Sequence, residues 1–218
     1  MAKKDREKRA TGKRPQGKKF LVVVEGIVTE PEYIQAVMRR HRVYRDAIKI
    51  ESGNTDPIGI VKRAKELMNT TCKTDGYDQV WCVFDVEAKL DQKARVGLQA
   101  ACDAAYRSKE PRKIHLAISN PCFEIWLLWH EKPQTASIDS GRVQSLCRSR
   151  GITDGNDGKH IRDAGALIEN GFAEAKSRAC KMMQMHDSNA ATKPEDRNPS
   201  SGMYELIDAI CASFPLRK

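Results

Sequence analysis

Acidic side chains follow two strongly apolar stretches of the sequence. Glu25 ends the run FLVVVE at residues 20–25, and Asp85 and Glu87 follow the run QVWCVF at residues 79–84. Asp85 and Glu87 are two residues apart, so on an extended backbone their side chains point the same way. Carboxylates that meet closely repel each other unless a proton or a cation lies between them. Because oxygen ligands suit Mg²⁺ or Mn²⁺, these three residues are candidate ligands of such an ion.

Two further acids and an asparagine are candidates for the same site. Glu30 lies at the start of a predicted helix, where an acid complements the helix dipole whatever its function, so a purely structural role stays open. Glu124 lies in the apolar stretch SNPCFEIWLLWH, where a buried carboxylate needs a partner. That partner is either a structural arginine or the metal site. Asn120, which precedes the proline of this stretch, is the third candidate.

These acids require a fold that brings distant stretches of chain together. Beyond residue 19, apolar runs typical of strands buried in a parallel sheet alternate with helical patterns. The predicted strands are 20–25, 47–51, 79–84 and 114–119. In an open parallel sheet, ligands gather at the carboxyl ends of the strands. If the first and third strands are neighbours, Glu25, Asp85 and Glu87 converge.

Helical patterns connect the strands and dominate the end of the chain. Thr29 and Glu32 match a T-x-x-E capping box, which predicts the first helix start. Strand signals stop after about residue 131. Further helices are predicted from Asp56-Pro57, over about 90–108, after Asn120-Pro121, over 140–150 and 159–186, and over MYELIDAICASF, with a loop at 187–202. The expected fold is an α/β core at 20–131 with a helical C-terminal lobe at 132–218 packed on it.

Positive charge is concentrated at the N-terminus. Residues 1–19 contain nine lysines and arginines against two acids, which accounts for +7 of the net +9. We predict a disordered basic arm that contacts nucleic-acid phosphates; a solubilising leader is the alternative. The basic residues are Lys3, Lys4, Arg6, Lys8, Arg9, Lys13, Arg14, Lys18 and Lys19.

Composition excludes several classes of protein. With 40% hydrophobic and 31% charged residues, the chain is typical of a soluble globular protein. No apolar run approaches the roughly 20 residues of a membrane helix, so no membrane association is expected. The seven cysteines contain no close pair of the kind found in zinc ribbons, and isolated thiols suit a reducing cytoplasm.

Four blocks of sequence, in order, resemble the RloB-like family of prokaryotic Toprim proteins. They are VEGIVTEPEY, VFDVE, SNPCFEIWLLWH and NPSSGMYELI, spanning residues 20–210. The resemblance implies a Toprim-like fold, with a four-stranded, mainly parallel sheet flanked by helices. It also implies that Glu25 and the first acid of a D-x-D pattern, Asp85, hold divalent metal. Glu87 stands where a second aspartate is usual, and its extra methylene moves the oxygens outward.

The resemblance implies a metal-dependent nuclease of prokaryotic antiphage defence, for example in abortive infection. The expected reaction is hydrolysis of phosphodiester bonds in RNA, such as tRNA, or in DNA. Asp85 and Glu87 would hold Mg²⁺ or Mn²⁺, and Glu25 would share that ion or a second one. Glu25 or Glu30 would act as the general base. A partner protein of the defence system, such as an ATPase, is also expected.

A cation beside the phosphate would stabilise the negative charge of the transition state. The resemblance extends to Toprim nucleases that use such a lysine, and Lys159 in DGKHIRD, at the start of a predicted helix, is the favoured candidate. Lys89 in DVEAK is nearer in sequence to the acids and is the alternative. His130 and His160 are candidate substrate contacts, although a lone histidine is more often structural.

Two other functions remain open at this stage. The chain would be a non-catalytic, Toprim-like module that binds nucleic acid or nucleotide if loss of Glu25 or Asp85 left the biological role intact. The presence of Glu87 in place of an aspartate favours that reading. A receiver-like switch would also cluster acids at strand ends. It needs a lysine after a later strand, and the fourth predicted strand ends in SNP.

Overall fold

The computed structural model describes residues 18–53, 56–71, 76–86, 91–110, 113–154 and 158–216. Within these ranges the protein is an α/β structure in which seven α-helices flank a five-stranded, mostly parallel sheet. The predicted fold class is therefore confirmed. In the same ranges, no helix has both the length and the apolar character needed to span a membrane.

Four of the five strands of the main sheet are parallel, as the sequence predicts, and their order is β2-β1-β3-β4. The strands are β1 (Phe20–Val24), β2 (Ile48–Glu51), β3 (Gln79–Asp85), β4 (Ile114–Asn120), β5 (Thr153–Asp154), β6 (His160–Ile161) and β7 (Ser200–Ser201). The short β7 pairs antiparallel with β4 at the sheet edge, and β5 and β6 form a separate hairpin. The expectation that strands end after about residue 131 is wrong, because three two-residue strands follow.

The helices lie close to their predicted positions, with one difference. They are α1 (Thr29–Arg40), α2 (Pro57–Thr71), α3 (Gln92–Tyr106), α4 (Glu124–Glu131), α5 (Ser140–Ser149), α6 (Ala164–Ser188) and α7 (Met203–Ser213). The helix predicted from residue 159 begins only at Ala164, because residues 160–161 form β6.

The central strand β1 is buried on both faces of the sheet. Phe20, Val22 and Val24 pack on the side that carries α1 and α4 to α7. The alternate residues Leu21 and Val23 pack on the side that carries α2 and α3. Each fully buried aliphatic side chain contributes about 1.5–3 kcal/mol to folding. The strand is therefore a firmly held base for the residue that follows it, Glu25.

The C-terminal helices pack against the sheet together with α1. Ile168 of α6 and Leu206 of α7 are buried in the same apolar cluster as Val22 of β1. The C-terminal part of the chain consequently contributes to the core and lies beside the first helix. From this position it can place side chains near Glu25 and Asp85.

The described chain begins with the last two residues of the predicted basic arm. The Lys19 backbone N–H donates to Oδ2 of Asp78 at 2.7 Å, and the Asp78 N–H donates to the Lys19 carbonyl at 2.7 Å. Lys18 Nζ lies 3.4 Å from Asp78 Oδ1. These contacts tie Lys18 and Lys19 to the loop before β3. The remaining predicted arm contacts lie outside the described residues: Lys3, Lys4, Arg6, Lys8, Arg9, Lys13 and Arg14.

Candidate active site

Glu25 and Asp85 meet at the carboxyl ends of β1 and β3. The two strands are neighbours, with Val24 paired to Val83, so their ends lie side by side. The Asp85 backbone N–H donates to Glu25 Oε2 at 3.0 Å. The Glu25 N–H in turn donates to the Val83 carbonyl at 3.1 Å. The carboxylate of Glu25 therefore lies across the end of β3, directly beside Asp85.

Two more carboxylates line the same cavity, which has a volume of about 180 Å³. Glu30 lies in the first turn of α1 and is 6% exposed, and Glu124 begins α4 and is 7% exposed. The cavity also contains Glu25, Asp85 and Lys159. Helix positions alone would allow Glu30 and Glu124 to be surface acids. Their burial in one cavity with Asp85 makes them part of the site.

Gly26 makes room for the side chain of Glu30. The Gly26 N–H donates to Glu30 Oε1 at 3.0 Å. A Cβ atom at residue 26 would occupy the space of the Glu30 carboxylate. The Glu-Gly pair that ends the first strand thus has two separate purposes: Glu25 is itself a site residue, and Gly26 admits another.

The crowding of acids changes the ionisation of Asp85. Burial raises the pKa of Asp85 well above its ordinary range. Nearby negative charges raise it further, and in decreasing order they belong to Glu30, Glu124 and Glu25. A hydrogen bond from the Phe123 backbone N–H opposes the rise. The side chain is half-buried at the sheet edge, so a cation arriving from solvent would relieve this repulsion.

Burial also raises the pKa of Glu30. Hydrogen bonds from its own N–H and from the Gly26 N–H act in the opposite direction, while the negative charge of Glu124 adds to the rise. The positive charge of Lys159 lowers the pKa of Glu30, which places the lysine within electrostatic reach of the acids. A carboxylate with a raised pKa is a better proton acceptor near neutral pH than an exposed one.

The chemistry of these side chains fits a hard divalent cation. Carboxylate oxygens are the ligands that Mg²⁺ and Mn²⁺ prefer, and the acids of the cavity repel one another without a cation. Across the described ranges, however, no three Asp, Glu, His or Cys side chains are arranged to hold a metal ion together. Within the described residues, Glu25 and Asp85 would be at most part of a ligand set. Glu87, the third predicted ligand, lies outside the described residues, as does Lys89.

Lys159 reaches the cavity from a hairpin rather than from a helix, which corrects the expectation that it starts one. It directly precedes β6, and its backbone carbonyl accepts a hydrogen bond of 2.8 Å from the Thr29 hydroxyl. Thr29 is the first residue of α1 and is buried. The start of α1 therefore holds both Glu30 and the backbone of Lys159.

Glu32 fastens the same hairpin to α1. Its Oε1 accepts a hydrogen bond from His160 Nδ1 at 2.6 Å, and its Oε2 accepts one from the Ile161 N–H at 2.9 Å. The predicted capping box is wrong, because α1 has Val28 at its N-cap without a side-chain cap. Thr29 and Glu32 instead bind residues about 130 positions away. His160 is accordingly a partner of Glu32.

Two other predicted candidates have structural contacts. Asn120 is buried, and its side-chain amide donates to the Pro194 carbonyl at 2.9 Å. His130 is buried between Tyr33 and Trp126: its Nε2 lies 2.9 Å from the Tyr33 hydroxyl, and its Nδ1 lies 2.9 Å from the Trp126 carbonyl. Burial lowers the pKa of His130 to about 4, so its ring is neutral and belongs to the core.

Sequence reasoning missed Gly26, Thr29 and Glu32 as residues that shape the site. Gly26 had a visible signal, because a glycine directly after a strand-end acid is a place where backbone and ligand groups approach closely. Thr29 and Glu32 had none, since their pattern equally fits a local helix cap.

Comparison with known proteins assigns the sequence to a family. The sequence profile described as RloB-like protein matches residues 20–210, which include every described residue of the cavity. Comparison with the curated proteins found no match. The matched region covers most of the chain, and the protein belongs to the RloB-like family.

Proposed function

We propose that this protein is a metal-dependent nuclease that hydrolyses phosphodiester bonds of nucleic acid in prokaryotic antiphage defence. The observation that carries the proposal is the meeting of Glu25 and Asp85 at the ends of neighbouring strands, in one cavity with Glu30, Glu124 and Lys159. A mostly parallel sheet with acids at these two strand ends is consistent with a Toprim-like layout. Membership of the RloB-like family supports the defence role.

Glu25 and Asp85, with Glu87 as the third predicted ligand, would hold Mg²⁺ or Mn²⁺. When bound, the cation would neutralise charge on the scissile phosphate and make an attacking water more acidic. Glu25 and Asp85 are suited to this because their carboxylates are fixed by the ends of two packed strands and need little reorganisation.

Glu30 accepts the proton of the attacking water in this proposal. Its pKa is raised by burial, and its carboxylate is held by Gly26, so both its basicity and its position are set before substrate arrives. The water oxygen forms the new bond to phosphorus as the bond to the leaving oxygen breaks. Lys159 contributes positive charge beside the phosphate oxygens.

The test is a cleavage assay with purified protein on tRNA, single-stranded RNA and plasmid DNA, with Mg²⁺, Mn²⁺ or EDTA. We expect cation-dependent cleavage of at least one substrate by the wild type, and none by Asp85→Ala. Asp46→Ala, which removes an exposed acid outside the cavity, is the matched control and should cleave normally.

Cleavage that persists in Asp85→Ala would assign the activity to a contaminant. If the wild type cleaves none of the three substrates with either cation, the nuclease proposal is wrong, and a non-catalytic nucleic-acid-binding module becomes the better description.

A further inference from the structure

Glu25 and Asp85 also line a second, larger cavity, on the side of the sheet that carries α2 and α3. This groove has a volume of about 600 Å³ and lies between the first turns of the two helices. Its walls are mainly aliphatic and include Pro57, Ile58, Ala94, Val96, Gly97 and Leu98. The two carboxylates thus separate a polar cavity that contains Lys159 from an apolar groove.

The groove has open space and exposed apolar surface that the fold does not require. Val96 is 60% exposed, whereas the buried residues of α3 are Leu98, Ala101 and Ala105. A Cβ atom added at Gly97 would meet no described residue within 4 Å. An exposed valine on a groove of this volume with mainly aliphatic walls indicates a binding surface for an apolar group.

The charges around the groove select what enters it. Asp56 and Asp91 line its rim, and each accepts a backbone hydrogen bond at the start of a helix, from Gly59 at 2.8 Å and from Ala94 at 2.7 Å. Together with Glu25 and Asp85 they would repel a phosphate group that entered the groove. A flat, uncharged ring meets no such repulsion.

We propose that this groove receives one unpaired nucleobase, next to the phosphodiester bond that is cleaved. The proposal rests on the proposed function and gives it a substrate class: single-stranded or locally unpaired nucleic acid. A base within a duplex would have to leave its stack and its pair, at a substantial energetic cost. Lys93, also at the rim, stands where a neighbouring phosphate outside the groove can reach it.

The test measures binding separately from cleavage. Fluorescence anisotropy is recorded with fluorescein-labelled, twelve-nucleotide single strands of RNA and DNA and with their blunt duplexes, in EDTA. We expect the wild type to bind a single strand at least about tenfold more tightly than the matching duplex, because a base of the duplex reaches the groove only by leaving its stack and its pair. Gly97→Leu fills the groove and should remove this preference.

Gly76→Leu is the matched control. In the part of the chain that the structure describes, an added Cβ at Gly76 also meets nothing within 4 Å, and Gly76 lies before β3, at the opposite end of that strand from Asp85. A second variant, Val96→Glu, changes an exposed groove residue that the fold does not need. Its control is Gln92→Glu, which makes the same change of charge at an exposed position of α3 outside the groove lining.

Equal affinity of the wild type for single strands and duplexes would overturn the groove proposal. So would retention of the preference in a folded Gly97→Leu or Val96→Glu protein. Neither result touches the proposed function, which is judged by cation-dependent hydrolysis of the small diester bis(p-nitrophenyl) phosphate and of nucleic acid. Absence of that hydrolysis contradicts the nuclease, whatever the binding data show.

Discussion

Ionising Asp85 costs more free energy in the folded protein than in the unfolded chain. Burial raises its pKa above the ordinary value of 3.8, and three neighbouring carboxylates add to the rise. As the pH rises through 3.8, the unfolded chain loses this proton first, so the contribution of Asp85 to stability declines until the folded carboxyl has also ionised. Below pH 3.8 that contribution is fully present.

Asp85→Asn removes this titration and keeps an oxygen that can accept the Phe123 N–H. In EDTA, we expect the variant to melt at nearly the wild-type temperature near pH 4 and a few degrees higher than the wild type at neutral pH. Mg²⁺ should raise the melting temperature of the wild type at neutral pH and leave the variant almost unchanged, because the bound cation stabilises only a folded protein with the full ligand set. Calorimetry from pH 4 to 8 measures both effects. Parallel pH profiles for the two proteins would refute this account of Asp85.

Gly26 gives an independent way to test the role of Glu30. An added methyl group would take the space of the Glu30 carboxylate, so Gly26→Ala should displace the base without removing it. We expect single-turnover cleavage to slow on the order of 100-fold, as for loss of a general base in Glu30→Gln. The double variant should be no slower than Glu30→Gln, since both changes remove the same contribution. Additive losses would show that Gly26 acts on something other than Glu30.

Residue types and strand ends predicted that Glu25 and Asp85 meet on the condition that the first and third strands are neighbours, and the structure supplies that pairing. Both follow continuous apolar runs, and parallel strands bring such ends to one edge. Glu32 was read as a helix cap because its T-x-x-E spacing fits a local contact equally well. Its real partners, His160 and Ile161, are distant in sequence, and no local pattern indicates them.

The hairpin of β5 and β6 is the element that brings Lys159 to the acids. Among the described residues, three hydrogen bonds join it to α1, two to Glu32 and one from Thr29. The hairpin was invisible in the sequence because each strand has only two residues, too few to show an alternating pattern. Because two of the three hydrogen bonds end on the carboxylate of Glu32, removing that side chain should shift the hairpin relative to α1.

Glu32→Ala should therefore lower cleavage through Lys159. We expect kcat to fall about tenfold or more with little change in KM, and the double variant with Lys159→Ala to be no slower than Lys159→Ala alone. The control, Glu169→Ala, removes an exposed carboxylate of α6 that lies 3.7 Å from Arg40 of α1, the helix that carries Glu32. This variant should leave kcat unchanged. If Glu32→Ala and Lys159→Ala multiply their effects, Glu32 does not act through the lysine.

Close packing of α4 on α6 fixes the helix that carries Glu124. A Cβ atom at Gly171 would lie 2.7 Å from both the Cβ and the carbonyl oxygen of His130. The carbonyl oxygen is a backbone atom, so it can move away only if α4 shifts. Gly171→Ala should destabilise the protein by about 1–3 kcal/mol, measured by urea unfolding. Gly97→Ala, at a helical glycine with open space, is the control and should be neutral or stabilising. Equal stability of the two variants would mean that the helices adjust freely.

At the scale of the whole molecule, the two faces of the sheet contribute different surfaces beside Glu25 and Asp85. One face, with α1, α4 and the hairpin, supplies Glu30, Glu124 and Lys159; the other, with α2 and α3, supplies the apolar groove. The α/β order of the elements was predictable from periodicity. The position of Lys159 beside Glu25 and Glu30 was not predictable from periodicity, because only tertiary contacts determine it.

We expect the predicted basic arm to add affinity for nucleic acid that depends on charge rather than on shape. Deleting residues 1–17 removes seven lysines and arginines and keeps Lys18 and Lys19, which Asp78 holds. We expect weaker binding of single-stranded nucleic acid. The slope of log affinity against log salt concentration should become smaller in magnitude by up to about 5, because fewer counterions are released. An arm with the same residues in shuffled order should restore the slope, since counterion release follows charge and not sequence. An unchanged slope after deletion would identify the arm as a solubilising leader and leave substrate binding to the folded body.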